Sequence, residues 1–224
     1  MKELIVQLES GLFGDEGPLN GVRDQLQQRL EQDGAEVQFK ERVYSSLATA
    51  IEVQGQLEHL HIIRIQRKSK AVLDPLRRSW KPRPHMVIED EKTVFVCLSC
   101  LRLLLLIEDG VLMATLRKFR ETHGLLFHQI ILLVPGIDAY FKRVRTRSNR
   151  DYNAAVQQAL HGGGETSRRK EKRKEPDVQP EQLEKELMRL RIAERCFLVK
   201  VDKLPEAVQW ICSMVADVGV RPYK

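Results

Sequence analysis

This chain has no uninterrupted apolar run of the about 18 residues that a membrane-spanning helix requires. Arg102 and the Glu108-Asp109 pair break its longest hydrophobic stretches. It also lacks a G-x-G-x-x-G dinucleotide turn and a phosphate-binding P-loop, which excludes the two commonest nucleotide cradles. His161-Gly162-Gly163-Gly164 looks like an esterase oxyanion loop, but no G-x-S-x-G elbow accompanies it, so it has no nucleophile to serve. Cysteine is scarce: Cys97, Cys100, Cys196 and Cys212. Cys97 and Cys100 form a C-x-x-C, yet no second pair and no spaced histidines go with it. In their apolar surroundings the two thiols read as buried hydrophobes rather than as a zinc or redox site, and reduced thiols in an intracellular protein are expected. The histidines (His59, His61, His85, His123, His128 and His161) show no metal-ligand spacing; His59 and His61 share a strand face with no carboxylate implied beside them. Met1-Lys2-Glu3 leads into a strand-like run and not into the apolar region of a signal peptide.

What is present is an ordinary globular composition, 42% apolar and 30% charged, with an uneven charge. The net charge is only +6, but between Lys142 and Glu175 eleven Lys or Arg stand against Asp151, Glu165, Glu171 and Glu175. A local positive field of that kind attracts polyanions, nucleic acid above all. The competing interpretation is a solvated helix face followed by a basic loop.

Strand and helix patterns alternate along the chain. Leu4 to Leu8 reads as a strand, Gly11 to Gly17 as a glycine-rich turn, and Pro18 as the opening of a helix with Val22, Leu26 and Leu30 on one face and Gly34 at its end. Val37 to Tyr44 and His61 to Lys68 alternate as strands; Ser46 to Leu60 is weaker. Lys70 to Asp90, with Pro75, Pro82 and Pro84, is expected to be a loop or strand-to-strand excursion. Gln129 to Val134 is a short strand stopped by Pro135-Gly136. A helix capped by Asp138 follows, through Tyr140, Val144, Tyr152 and Val156. Gly162 to Pro180 is basic, low in complexity and expected to be disordered. Leu183 to Arg191 is a short helix, Cys196 to Val201 a last strand, and Pro205 starts a final apolar-sided helix. The pattern predicts one α/β domain over 1–224, a mixed central sheet flanked by helices.

Thr93 to Ile107 is the most informative segment. Thr-Val-Phe-Val-Cys-Leu is β-branched and aromatic, as a buried strand should be, and Leu101 to Ile107 continues into helix formers up to about Glu121. A central strand therefore feeds a helix, a favoured place for catalytic groups. Here it carries Val96, Cys97 and Leu98, which can neither hold a metal-bound water nor donate a proton at neutral pH. A rival constellation exists: Asp74 with Asp90-x-Lys92 imitates the magnesium ligands of restriction-type nucleases. Against it, Asp90 falls in the polar stretch Glu89 to Lys92, which reads as a solvated turn before the strand.

The order of elements resembles the nuclease domain of the XPF/Mus superfamily of structure-specific endonucleases, and most closely its non-catalytic Eme-type subunits. The resemblance spans the chain. It is carried by Arg195-Cys-Phe-Leu-Val-Lys, by Glu206-Ala-Val-Gln-Trp210-Ile, by the ending Arg221-Pro-Tyr-Lys224, by the basic insert Arg168 to Lys174, and by Thr93 to Ile107 leading to Gln129 to Val134. Active members carry Gly-Asp on one strand, then Glu-Arg-Lys and a following Asp. Laid on this chain, those positions fall near Ile65 and Gln66 and on Val96, Cys97, Leu98 and Arg102, none of them a carboxylate.

The resemblance implies a restriction-nuclease-like fold and a nuclear subunit without nuclease activity of its own. It implies a heterodimer with a Mus-type catalytic subunit that holds the magnesium, so no cofactor is expected in this chain. The substrates would be branched DNA: flaps, forks and nicked Holliday junctions, in repair and meiotic recombination. The tandem helix-hairpin-helix region of full-length members has no counterpart in these 224 residues. Arg143, Arg147 and Arg150 share a helix face and, with Arg168, Arg169 and Lys170, are the expected phosphate contacts. Val199, Val201, Ala207, Trp210, Ile211 and Met214 are the expected partner surface. An α/β interaction module without a nucleic-acid role is the third reading.

Overall fold

A computed structural model of the chain describes residues 4–41, 57, 60–74, 76–77, 79–125, 128–161, 176 and 178–220. Period-two alternation sorts the strand residues onto two faces. In β1 (Leu4–Glu9), Leu4, Val6 and Leu8 join one core cluster, while Gln7 looks the other way. β2 (Glu36–Lys40), β3 (His61–Asp74), β4 (Ser79–Cys97), β5 (Gln129–Pro135) and β6 (Cys196–Val201) complete a six-stranded sheet in the order β2-β1-β3-β4-β5-β6. β3 is antiparallel to both its neighbours; the β1–β2, β4–β5 and β5–β6 pairs are parallel. The α/β class with a mixed central sheet is therefore as the sequence suggested.

Two apolar layers cover the sheet. On one face α1 (Arg23–Gln32) and α6 (Leu204–Val220) pack Leu26, Leu30, Ala207, Ile211 and Val215 against Val6, Ile63, Phe95 and Leu133. On the other, α2 (Cys100–Glu108), α3 (Leu112–Thr122), the first turn of α4 (Ile137–His161) and α5 (Pro180–Glu194) bury Leu103, Leu116, Phe119, Ile137 and Leu190 against Val94, Val96, Ile130 and Leu132. Each large side chain so buried contributes about 1.5–3 kcal/mol.

Several boundaries differ from the sequence reading. Pro18 does not open a helix. Leu19 folds back, its N–H donating to the Leu12 carbonyl at 2.9 Å, and α1 begins only at Arg23. Gly17 is required there, because a Cβ would lie 2.4 Å from the Leu12 oxygen. The helix from Cys100 does not run on to Glu121. It ends at Glu108, the chain turns through Gly110 at φ +68°, and α3 restarts at Leu112. The short charged helix extends to Pro180–Glu194.

The largest difference lies between Lys70 and Lys92. Of the two expectations for Lys70 to Asp90, the strand-to-strand excursion holds and the loop does not, and Glu89 to Lys92 is no polar turn: β3 and β4 pair as a ribbon from Cys97 back to Ser79. Asp90, Glu91 and Lys92 are strand residues, and β4 carries extra residues opposite Ile65, a bulge that absorbs the charges. Pro82 and Pro84 are tolerated because, among the described residues, this part of β4 has no strand on its outer side.

Candidate nucleic-acid interface and partner surface

The strand–helix junction comes first, because its chemistry decides what the chain can catalyse. Val96 and Leu98 are fully buried in the core under α2 and α3, and Cys97 is fully buried on the opposite face, beneath α6. α2 starts cleanly after them: the Ser99 hydroxyl accepts the Arg102 N–H. A cap of this kind is worth about 1 kcal/mol. Gln66 does not lie beside Val96. The cross-strand neighbour of Val96 is Ile62, and Gln66 faces Asp90, about 13 Å further along at roughly 3.3 Å per residue. The neighbour of Val96 is thus apolar, and no carboxylate faces it from β3.

The C-x-x-C is split by the sheet. Cys97 belongs to one core cluster and Cys100 packs against the other. Burial pushes the Cys100 thiol up to about 11, with nearby Arg143 pulling the other way; it raises the Cys97 thiol as well, helped by the negative charge of Glu9. Neither is a thiolate at neutral pH, so neither is a nucleophile.

The rival carboxylates do not converge. Asp74 sits at the far tip of the ribbon, bound to Lys81 at 2.6 Å and accepting the Leu76 and Arg77 N–H groups, which together hold its carboxyl below the usual range. Asp90 lies at the ribbon's base, where Gln66 donates to it at 2.7 Å. Eight residues of β3 separate Asp74 from Gln66, roughly 25 Å of strand.

Two arrangements escaped the sequence reading. On the face away from α1 and α6, side chains form a polar chain across four strands. Gln7 donates to Gln66 at 2.8 Å and to Gln38 at 3.4 Å, Gln38 to Glu36 at 2.9 Å, and Gln66 to Asp90. At the carboxyl end of β1, Glu9 accepts the Ile62 N–H at 3.0 Å and lies 3.7 Å from His61 Nδ1. The carboxylate that the sequence did not imply for His61 thus comes from a strand some fifty residues upstream. Gly11 makes room for that ring, since a Cβ would fall 2.6 Å from it.

The basic helix α4 is 25 residues long, and among its described side chains the buried ones are at its start. Ile137 and Tyr140 are buried, Phe141 is half-buried, and residues 142–150 are exposed throughout. Arg143, Arg147 and Arg150 therefore stand on a projecting helix, as a polyanion contact requires. Arg168, Arg169 and Lys170, and the tract 162–175 as a whole, lie outside the described residues. Pro176 and Val178 are buried, and Tyr140 donates its hydroxyl to the Pro176 carbonyl at 2.9 Å, so the expected disorder does not hold for these two residues. Replacing Arg143, Arg147 and Arg150 by Ala together is expected to lower the log–log salt slope of duplex binding by about 2–3, at 0.9 per phosphate. An unchanged slope and affinity in fluorescence anisotropy would remove these arginines from the interface.

Not every cation is available to a ligand. Arg67 is buried and donates to Glu91 at 2.7 Å and to the Val218 carbonyl, tying the ribbon's base to the end of α6. Arg120 is buried too, bound to the Leu125, His128 and Glu194 carbonyls.

The expected partner residues divide by depth. Val201, Ala207 and Ile211 are buried in the chain's own core, Val199 and Met214 pack against it half-buried, and Trp210 remains 45% exposed. Phe197 on β6 and Met188 and Ile192 on α5 are exposed as well. β6 is a sheet edge, so an edge strand is flanked by apolar side chains from a helix on each face, the kind of surface that marks an interaction site.

No protein-family model matches the chain, and no match is found among curated proteins.

Proposed function

We propose that this chain is the non-catalytic subunit of a heterodimeric, structure-specific DNA endonuclease of the XPF/Mus type. Its restriction-nuclease-like domain would pair in the nucleus with a Mus-type catalytic subunit, and the heterodimer would cut flaps, forks and nicked Holliday junctions. The observation that carries the reading is the junction of β4 and α2. Two-metal phosphodiester hydrolysis needs carboxylate oxygens to hold the ions. At the positions where the resemblance calls for them stand Val96, Cys97 and Leu98, buried in apolar layers, and Arg102. The chain's part is then structural: the apolar β6 edge offers a docking surface, and α4 offers phosphate contacts. The active-nuclease alternative requires Asp74 and Asp90 in one site, and the ribbon keeps them far apart.

Co-expression with a Mus-type catalytic subunit and gel filtration test this. A one-to-one complex that cuts a flap in magnesium, with the isolated chain inert, is the expected outcome. Cleavage by the isolated chain, lost in Asp90→Ala, would establish the alternative instead. Absence of a complex together with absence of fork binding would leave an α/β interaction module.

A further inference from the structure

The ribbon formed by Lys68–Asp74 of β3 and Ser79–Ile88 of β4 has no role in the site above, and it does not belong to the packed sheet. Among the described residues, β1 pairs with β3 as far as Arg67, and β5 pairs with β4 from Thr93. Beyond those points the described strand residues pair only with each other, apart from the side-chain bond of Lys68 to Glu36. An isolated two-stranded hairpin is marginal in water, and this one exposes apolar side chains: Leu76 at 94%, and Met86, Val87 and Ile88 each near half. It is fastened at its base by Arg67, reaching Glu91 and the Val218 carbonyl.

Its charge is as distinctive as its shape. From Lys68 to Ile88 there are six Lys or Arg, namely Lys68, Lys70, Arg77, Arg78, Lys81 and Arg83, against Asp74 alone: a net +5 in a chain whose total is +6. Three of these cations are paired, one across the ribbon, one within β4 and one to β2. Lys81 holds Asp74 at 2.6 Å, Arg83 reaches Glu89 at 2.6 Å just outside this stretch, and Lys68 reaches Glu36 at 2.5 Å. Lys70 and Arg77 have no charge partner among the described residues.

We infer that this ribbon is a second DNA-binding element, which lies in the major groove of duplex DNA and neutralises its phosphates. The inference deepens the function proposed above and rests on it for the identity of the duplex. A two-stranded β-ribbon is one of the two protein elements that the B-form major groove, about 12 Å wide, admits. The deep, narrow major groove of double-stranded RNA does not admit it. The bulge at Arg83–Met86, where β4 carries four residues opposite Lys70 alone, bends the ribbon and increases its twist. Pro82 and Pro84 keep the outer side of β4 from recruiting another strand.

The position adds the mechanistic content. β4 and β5 are parallel; the ribbon lies before the paired part of β4, and α4 follows the end of β5. The two cationic projections therefore leave opposite ends of the sheet. A single straight duplex segment on one of them leaves the other free for a second arm, the property a branched substrate calls for.

The test uses the full chain, alone and co-purified with a Mus-type catalytic subunit, against labelled B-form duplex, a three-way fork, double-stranded RNA, and phosphatidylserine vesicles. The probe variant is Lys70→Ala, Arg77→Ala, Lys81→Ala, with its circular dichroism checked against wild type. The expected result is at least tenfold weaker duplex binding and a salt slope lower by about 2–3, with the fork affected more than the duplex and RNA bound poorly throughout. Wild-type duplex binding that the variant retains unchanged overturns the ribbon inference while leaving the proposed function standing. Duplex and fork binding absent in both wild-type preparations overturns that function as well. Ribbon-dependent binding to vesicles without binding to DNA overturns the inference in favour of a membrane surface.

Discussion

The double variant Val96→Glu, Leu98→Lys is expected to unfold the chain rather than to restore a nuclease. Both side chains are fully buried in the cluster beneath α2 and α3. A buried Glu or Lys escapes ionisation only by a pKa shift of about 3–5 units, and each unit corresponds to about 1.4 kcal/mol. Each substitution thus costs on the order of 4–7 kcal/mol, against a domain stability of about 5–15 kcal/mol. Alternation directs positions 96 and 98 to the same face, and the buried cation of the covering helix, Arg120, is already bound to the Leu125, His128 and Glu194 carbonyls. Urea unfolding followed by circular dichroism measures this. As a control, Leu98→Ala should cost about 2–5 kcal/mol through the cavity it leaves and still fold. A double variant with the wild-type midpoint, cutting flaps in magnesium, would mean that the junction is a site in disguise and that the non-catalytic reading is wrong.

Charging the β6 edge is expected to have the second-largest effect. Trp210→Glu with Met214→Lys should abolish co-purification with the catalytic subunit. Buried aromatic anchors carry at least about 2 kcal/mol at an interface, so Trp210→Ala alone should weaken the complex roughly thirtyfold. The isolated chain should be little affected. Trp210 is nearly half exposed and packs less than its neighbours, and substitutions at exposed positions usually stay within about 0.5 kcal/mol. The comparison with Ala207→Lys is informative, because Ala207 is buried in the chain's own core and that change should lower stability whether or not a partner exists. If Trp210→Ala and the double variant both co-purify as wild type, the interface is elsewhere. The exposed face of α5 with Met188 and Ile192 is then the next surface to change.

The sequence itself determined the strands and helices of the core, because each is a local pattern. Period-two alternation at Ile63 and Ile65 and helical spacing at Leu26 and Leu30 follow from which face of one element meets water. It also determined that Val96, Cys97 and Leu98 leave a strand–helix junction without acid or base groups, since identity needs no geometry. Its failures at the ribbon and at His61 share one physical cause: the deciding partner is distant in the chain. Pro75, Pro82 and Pro84 argued for a loop, and they do forbid a central strand. Only the tertiary structure decided that β4 has no outer neighbour there, which makes prolines compatible with pairing. Asp90 looked like a turn residue until Gln66 supplied its hydrogen bond from across the ribbon, and His61 had no carboxylate until β1 brought Glu9 to it. Tertiary packing likewise divided the cations. Arg67 and Arg120 are spent on carbonyls inside the fold, whereas Arg143 on α4 and Lys70 on the ribbon face solvent. A run of basic residues fixes how much charge a segment carries; where the sheet ends fixes which of those charges a polyanion can reach.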